Sequence, residues 1–339
     1  MVTQIAVKKQ KEKWQLELQQ SFTDINEFLR YCNIDNNLVS VSNEATKTLR
    51  FFVTKHWADK IVKGDSKDPL LLQVLPQKAE LEQHPGYSLD PLEEQQQSPA
   101  PGVIHKYKSR ILLTLTQQCG IYCRYCFRRH FAYENNRFNQ QNWQQVLTYL
   151  KNKIEINEVI LSGGDPLILP DKILQQIMND LSQIAHLKFL RIHSRLPLNL
   201  PSRLTNNLIT VLNSTRLKAI MVLHTNCAAE INNEVSTKLA NLHNSGITLF
   251  NQTVLLKNIN DNPNKLADLS YKLFENDVIP YYIHSLDKVT GSAHFEIPRI
   301  EEKKIINEYY NLVPGYLAAK FVTEKPYAKH KIMINLDCQ

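Results

Sequence analysis

From residue 103 onward, short apolar runs alternate with segments whose apolar residues recur every three or four positions. The runs fall at 111–116, 158–162, 188–193, 217–224, 247–255 and 279–285 and predict six β-strands. From the second onward their starts lie roughly 30 residues apart, the length of one βα unit. Between them, Trp143, Val146, Leu147 and Leu150 mark one apolar helix face, and Ile173, Ile177, Leu181 and Ile184 a second. Leu266, Leu269 and Leu273 mark a third. Such units in series predict a parallel sheet with right-handed crossovers.

The ends of the runs decide between a flat sheet and a curved one. The first runs into Cys119, the second into Ser162-Gly163-Gly164-Asp165, the third into His193-Ser194-Arg195 and the fourth into His224-Thr225-Asn226. The fifth carries Asn251-Gln252 and the sixth His284-Ser285-Leu286-Asp287. Polar groups at the C-terminal end of every strand face one mouth in a barrel, whereas a doubly wound sheet gathers its ligands at one switch point. The expected fold is α/β, an incomplete (β/α)6 barrel over 103–319.

The first 102 residues read as a helical region and connector. Asp24 caps a helix carrying Ile25, Phe28 and Leu29, and a longer helix is expected from Glu44 to Ile61 with Leu49, Phe52, Val53 and Trp57 on one face, stopped by Gly64. Four prolines between 84 and 102 make an irregular connector whose apolar residues lay it on the barrel. Residues 320–339 form a C-terminal segment.

Composition narrows the class. With 43% hydrophobic and 22% charged residues, the 339-residue chain is of the soluble globular type. A net charge of +7 without a basic tract gives no signal for nucleic acid. No apolar run is long enough for a bilayer, and the polar stretch Lys8 to Lys13 is unlike a signal peptide, so no membrane association is expected. Six scattered cysteines make no disulfide framework and suit a reducing cytoplasm.

Three of those cysteines carry the chemistry. Cys119, Cys123 and Cys126 are spaced C-x3-C-x2-C. A structural zinc closes its shell with a fourth Cys or His, for which His130 stands four residues on; a zinc-stabilised RNA-binding protein is the reading of a different class. A cubane iron–sulfur cluster can instead leave one iron open to a cofactor. The missing fourth cysteine and the six polar strand ends favour the cluster.

Together with Gly163-Gly164-Asp165, this motif resembles the radical S-adenosylmethionine superfamily. The runs Cys-Arg-Tyr-Cys-Phe-Arg-Arg-His-Phe, Leu-Ser-Gly-Gly-Asp-Pro-Leu, Asn-Gln-Thr-Val-Leu-Leu-Lys and Tyr-Tyr-Ile-His-Ser-Leu-Asp follow the order of the lysine 2,3-aminomutase family, from about Asp68 to Lys331. The resemblance implies an isomerase with a [4Fe-4S] cluster on the three cysteines, S-adenosyl-L-methionine beside Gly163, Gly164 and Asp165, and pyridoxal 5'-phosphate on Lys331. The residues alone leave Lys320, Lys325, Lys329 and Lys331 open, and Tyr327-Ala328-Lys329-His330 replaces the family's glycine-rich approach.

Further roles are implied residue by residue. Arg128 clamps the substrate carboxylate; Asp287 and Glu324 hold the ε-ammonium of L-lysine, with Glu324 in place of the family's Asp. Lys106, in place of Arg, and Arg110 bind the cofactor phosphate; His224 and Gln252 stand at cofactor-side positions. The segment from Leu286 to Phe295, and the end of the chain eight residues after Lys331, resemble enzymes that make (R)-β-lysine for elongation factor P and its lysyl ligase. A catabolic or osmolyte-forming aminomutase would use the same residues. An external electron donor is implied in either case.

Overall fold

The computed structural model describes residues 11–132 and 139–335. Its backbone is one nine-stranded sheet in strict chain order. The strands are β1 (Val103–Tyr107), β2 (Arg110–Thr116), β3 (Glu158–Gly163), β4 (Phe189–Ser194), β5 (Lys218–His224), β6 (Thr248–Val254), β7 (Val278–His284), β8 (Lys320–Thr323) and β9 (Ile332–Met333). From β2 to β8 every neighbour is parallel; β1 and β9 add antiparallel edges. All six predicted strands are present within a residue or two of their expected bounds. The short β8, which the sequence pattern missed, carries the ladder from the barrel into the C-terminal segment.

The crossovers bury the faces expected of them. Trp143, Val146, Leu147 and Leu150 lie buried on the helix Gln140–Lys151, and Leu266, Leu269 and Leu273 on Pro263–Phe274. On Asp171–Ser182 the buried stripe is Leu174, Ile177, Met178 and Leu181. Ile173 is only partly buried and Ile184 lies past the helix end, so that stripe is rotated by one position. These side chains join Ile111, Leu113, Val159, Leu161, Leu190 and Ile192 in the main core. The alternate residues, such as Leu112, Ile160, Arg191 and His193, line the lumen instead.

The long helix expected from Glu44 to Ile61 does not form. Two single turns, Ala45–Thr48 and Lys55–Ala58, flank an extended stretch in which Val53 pairs with Phe22. The run Leu49-Arg50-Phe51-Phe52-Val53-Thr54 is rich in aromatic and β-branched residues that suit extended backbone, and the Thr54 hydroxyl caps the second turn by accepting from the Trp57 amide. Trp57 and Ile61 are still buried, in a core that also takes Phe28, Leu70, Leu71 and, from the cysteine loop, Ile121. Asp24 caps its helix as expected. The connector lies on the barrel: Ser88 bridges to Val289, and Tyr87 donates to Glu296 at 2.8 Å. Among the described residues no helix is long and apolar enough to cross a membrane.

Candidate functional site

The C-terminal strand ends open onto a cavity of about 1060 Å³ that runs down the lumen to the first residues of β2 and β3. Cys119, Cys123, Cys126, Arg128, Gly163, Gly164, Asp165, His224, Gln252, Asp287, Glu324, Lys331, Lys106 and Arg110 all line it. Every residue given a metal, cofactor or substrate role thus reaches one space, whereas the strand-end residues Thr225, Asn226, Asn251 and Ser285 do not line it.

The cysteine loop is held from both sides by backbone bonds. The Arg124 amide donates to the Gln73 carbonyl (2.9 Å), and the Asp165 amide to the Gln118 carbonyl (2.8 Å). Arg124, whose side chain is completely buried, makes a two-pronged pair with Glu80 (2.9 and 2.6 Å) and also donates to the Leu49 and Ala45 carbonyls. Arg129 adds a third donor to Glu80 at 2.7 Å. One buried carboxylate therefore holds two guanidinia against the loop.

Burial pushes the Cys119 thiol well up, and Asp165 and the other two thiols push it further; burial and Cys123 raise Cys126 to about 11. Three thiols set by one loop at the wall of one cavity, without a fourth ligand, are a donor set that fits an iron–sulfur cluster. His130, the candidate fourth zinc ligand, instead meets the Thr290 carbonyl at 3.2 Å. Among the described residues no three His, Cys, Asp or Glu side chains come together tightly enough for a single ion. Neither observation supports a tetrahedral zinc.

The glycines after β3 answer to the cysteine loop. A Cβ on Gly163 would lie 2.7 Å from the Thr116 carbonyl oxygen, and one on Gly164 would lie 2.3 Å from that of Gln118. Gly163 also takes φ +113°, a region that L side chains avoid. They let the ends of β2 and β3 touch just before Cys119.

Asp165, expected beside the cofactor, lines the cavity with its carboxylate bonded within the protein. Its carboxylate accepts from the Ser194 hydroxyl (2.8 Å) and from the amides of Leu167, Arg195 and Leu196, so it joins β3 to β4. Arg195, held by that link, donates to Cys123 Sγ (2.6 Å), the Tyr125 hydroxyl, Gln73 and Glu230. The Tyr125 hydroxyl also meets His224 Nε2 at 2.8 Å. Burial, with Arg195, pushes the His224 imidazole down to about 3, so it is neutral at the pH of the cell. Gln252 pairs with His224 across the β5–β6 ladder.

At the other side of the cavity Lys331 Nζ lies 2.6 Å from Glu324 Oε2, and Lys106 Nζ 3.0 Å from Glu324 Oε1. Tyr107 donates to the same carboxylate at 2.9 Å. Burial alone would raise Glu324, but Lys331 and Lys106 hold it well below the usual carboxylate range. Lys106, expected at the cofactor phosphate, lines the cavity and is paired with Glu324 in this structure. Burial, reinforced by Glu324, raises Asp287 to about 7. Arg128 is also engaged: its guanidinium grips Glu94 through two bonds of 2.7 Å and donates to Ser162 Oγ at 3.1 Å. The carboxylate in its clamp is the protein's own.

Glu94, Glu80, Gln73 and Glu230 carried no signal in the sequence. Each lies in a segment without a motif and meets its arginine only through packing, over separations of 34 residues for Glu94–Arg128 and 44 for Glu80–Arg124.

Comparison with known proteins bears on this site. A family model for a "4Fe-4S single cluster domain" matches residues 109–190, the stretch from β2 through the cysteine loop into β4. An L-lysine 2,3-aminomutase of Buchnera aphidicola is 45% identical over 97% of this chain and 97% of its own length. That of Escherichia coli is 43% identical over 93% of this chain and 92% of its own. Among solved structures, Streptococcus suis SuiB bound to S-adenosylmethionine superposes with a TM-score of 0.45 at 15% identity, covering 65% of this chain and 51% of that one; an overlap this loose carries no weight.

Proposed function

Because the chain belongs to the radical S-adenosylmethionine lysine 2,3-aminomutase family, we propose that it moves the α-amino group of L-lysine to the β-carbon. The observation that carries this reading is the meeting, in one cavity, of a three-cysteine loop with a lysine held on a carboxylate beside a second acid. When bound, the cluster with S-adenosylmethionine supplies a radical that takes hydrogen from carbon, and pyridoxal phosphate supplies a π-system that lets nitrogen migrate.

Each of the chain's groups has a task in that reaction. Cys119, Cys123 and Cys126 hold the cluster. Gly163 and Gly164, with neutral His224, border the space beside it for S-adenosylmethionine. Lys331 is the amine for pyridoxal phosphate: a primary amine on a flexible stem can bond an aldehyde and later yield it to the substrate's amine. Glu324, which pairs with Lys331 and Lys106, and Asp287 on the same cavity would hold the substrate ε-ammonium. Arg128, already oriented by Glu94, faces the carboxylate end. Burial of these groups excludes water from radical chemistry.

The product is (R)-β-lysine destined for elongation factor P and its lysyl ligase. The likeness of Leu286–Phe295 to the modification branch supports this use over a catabolic one. An external one-electron donor completes the cycle.

The test has two arms. Anaerobically purified protein, supplied with reductant, S-adenosylmethionine and pyridoxal phosphate, should convert lysine to β-lysine, whereas Lys331→Ala should form none and lose the borohydride-trapped pyridoxal adduct. Adduct formation at Lys325 or Lys329 would overturn the assignment. In cells lacking the gene, intact-mass analysis should show elongation factor P without its β-lysyl group, restored by added (R)-β-lysine. Unaltered modification with failed growth on lysine would favour the catabolic use.

A further inference from the structure

Arg195 follows β4 directly and turns its guanidinium onto the cysteine loop. Its Nη1 donates to Cys123 Sγ at 2.6 Å and to the Tyr125 hydroxyl at 2.7 Å. Its Nη2 faces the other way, toward Gln73 Oε1 at 2.6 Å and Glu230 Oε2 at 3.0 Å. The ion pair is therefore a dipole with its positive end on the sulfur and its negative end behind. The Trp57 ring covers the guanidinium, with its centroid 4.6 Å from Arg195 Cζ, and the Asp165 carboxylate holds the Arg195 amide at 2.8 Å. Arg195, Glu230, Gln73 and Tyr125 are all buried, so water and salt screen the dipole little.

The shape of the loop is held elsewhere, by its backbone bonds to Gln73 and Asp165 and by the grip of Arg124 and Arg129 on Glu80 and on carbonyls. Arg195 reaches a sulfur instead. A sulfur bound to iron carries part of the charge of a cluster, and hydrogen bonds to such sulfurs help to set its reduction potential. An added electron makes the sulfur more negative. A fixed, buried donor on that sulfur therefore favours the reduced form over the oxidised one.

We propose that Arg195, braced by Glu230, tunes the iron–sulfur cluster through Cys123, favouring its one-electron-reduced form and so setting how strong a reductant the enzyme requires. The proposal rests on the cluster being held by Cys119, Cys123 and Cys126. The electron comes from the external one-electron donor and remains on the cluster, and no bond of the protein forms or breaks. Arg195 acts through Cys123 and is a positioning residue.

The experiment measures a potential rather than turnover. Anaerobic enzyme with its cluster assembled, and without S-adenosylmethionine, is poised at a series of potentials while the reduced cluster is counted by electron paramagnetic resonance. Iron and sulfide per chain normalise each variant. Arg195→Gln should lower the reduced-to-oxidised ratio at a fixed potential about tenfold, the scale of a lost charged hydrogen bond. For one electron that is a midpoint about 59 mV more negative. Arg195→Lys, which keeps the charge and loses the fork, should fall between. A second measurement needs no variant: wild-type enzyme grown on arginine labelled with the heavy nitrogen isotope in its guanidinium should show that nitrogen weakly coupled to the reduced cluster in pulsed spectra. A midpoint unchanged in Arg195→Gln, with only cluster content reduced, would make Arg195 a structural residue. An unchanged midpoint with weaker S-adenosylmethionine binding would make it a contact of that cofactor; either overturns the proposal. If Arg195→Gln assembles no cluster, the labelled wild-type spectrum decides, and absence of the nitrogen coupling there overturns the proposal. Wild-type enzyme with no iron–sulfur signal at all would overturn the cluster reading itself, an outcome distinct from failure of the tuning.

Discussion

The two sides of the cavity are built on opposite principles. Around the cysteines the buried arginines are paired within the protein: Arg124 and Arg129 on Glu80, and Arg195 on Glu230, Gln73 and Cys123. Around Lys331 the ions pair in ways that substrate and cofactor would rearrange, since Glu324 holds two lysines and Arg128 a carboxylate. The first side is rigid because a cluster tolerates little change in its ligands. The second is exchangeable because a ligand with an amine at each end and a carboxylate must displace like for like. A buried, fully paired site is costly to break; a site whose ions await new partners keeps their exchange nearly neutral.

Substitutions can break or sharpen this contrast. The largest effect is expected at the rigid side, where Cys119→Ala, Cys123→Ala or Cys126→Ala should each remove iron and activity together. Iron and sulfide analysis of anaerobic protein checks this, and a zinc-containing, iron-free active protein would refute it. Next, Glu80→Gln strands two buried guanidinia and should cost roughly 3–5 kcal/mol of stability, read as an earlier thermal melt and poorer cluster retention. An unchanged melt would mean that the clamp is idle.

On the exchangeable side the expected effects are functional rather than structural. Asp287→Asn should lower kcat/KM for lysine about a hundredfold while pyridoxal phosphate still traps on Lys331. The same residue predicts a pH limb. With its acid raised to about 7 by burial and Glu324, Asp287 is charged above that pH and neutral below it. An ammonium is held only by the charged form, so kcat/KM should fall toward tenfold per unit below about pH 7. Asp287→Asn should flatten the limb, and one that survives there belongs to another group. The smallest effect concerns Glu94→Gln, which frees Arg128 from its charged partner. KM for lysine should change by a factor of about three to ten, with little change for lysine amide, which lacks the carboxylate; parallel changes in both would indicate loss of packing alone.

Much of this architecture was open to reading in the chain because its signals are local. A strand of the lumen declares itself in six or seven consecutive residues, and the three cysteines lie within eight positions, so neither needs knowledge of distant contacts. The residues that the resemblance assigned to the substrate side, Arg128, Asp287, Glu324 and Lys331, lie far apart in the chain and line one cavity together. The long helix over 44–61 failed where periodicity competes with β propensity: Phe51, Phe52 and Val53 suit either, and pairing of Val53 with Phe22 chose the extended form.

What the sequence by itself determined is the repeat of strand and helix, the order of polar strand ends and the thiol spacing, all set by side-chain period and short-range geometry. Only the tertiary structure decided which ions meet. That Lys106 serves Glu324, that Asp165 joins β3 to β4, and that Glu80 and Glu94 hold the arginines of the loop follow from packing across tens to hundreds of residues. A charge in a chain has no partner until burial removes water as the alternative, and burial is a property of the fold.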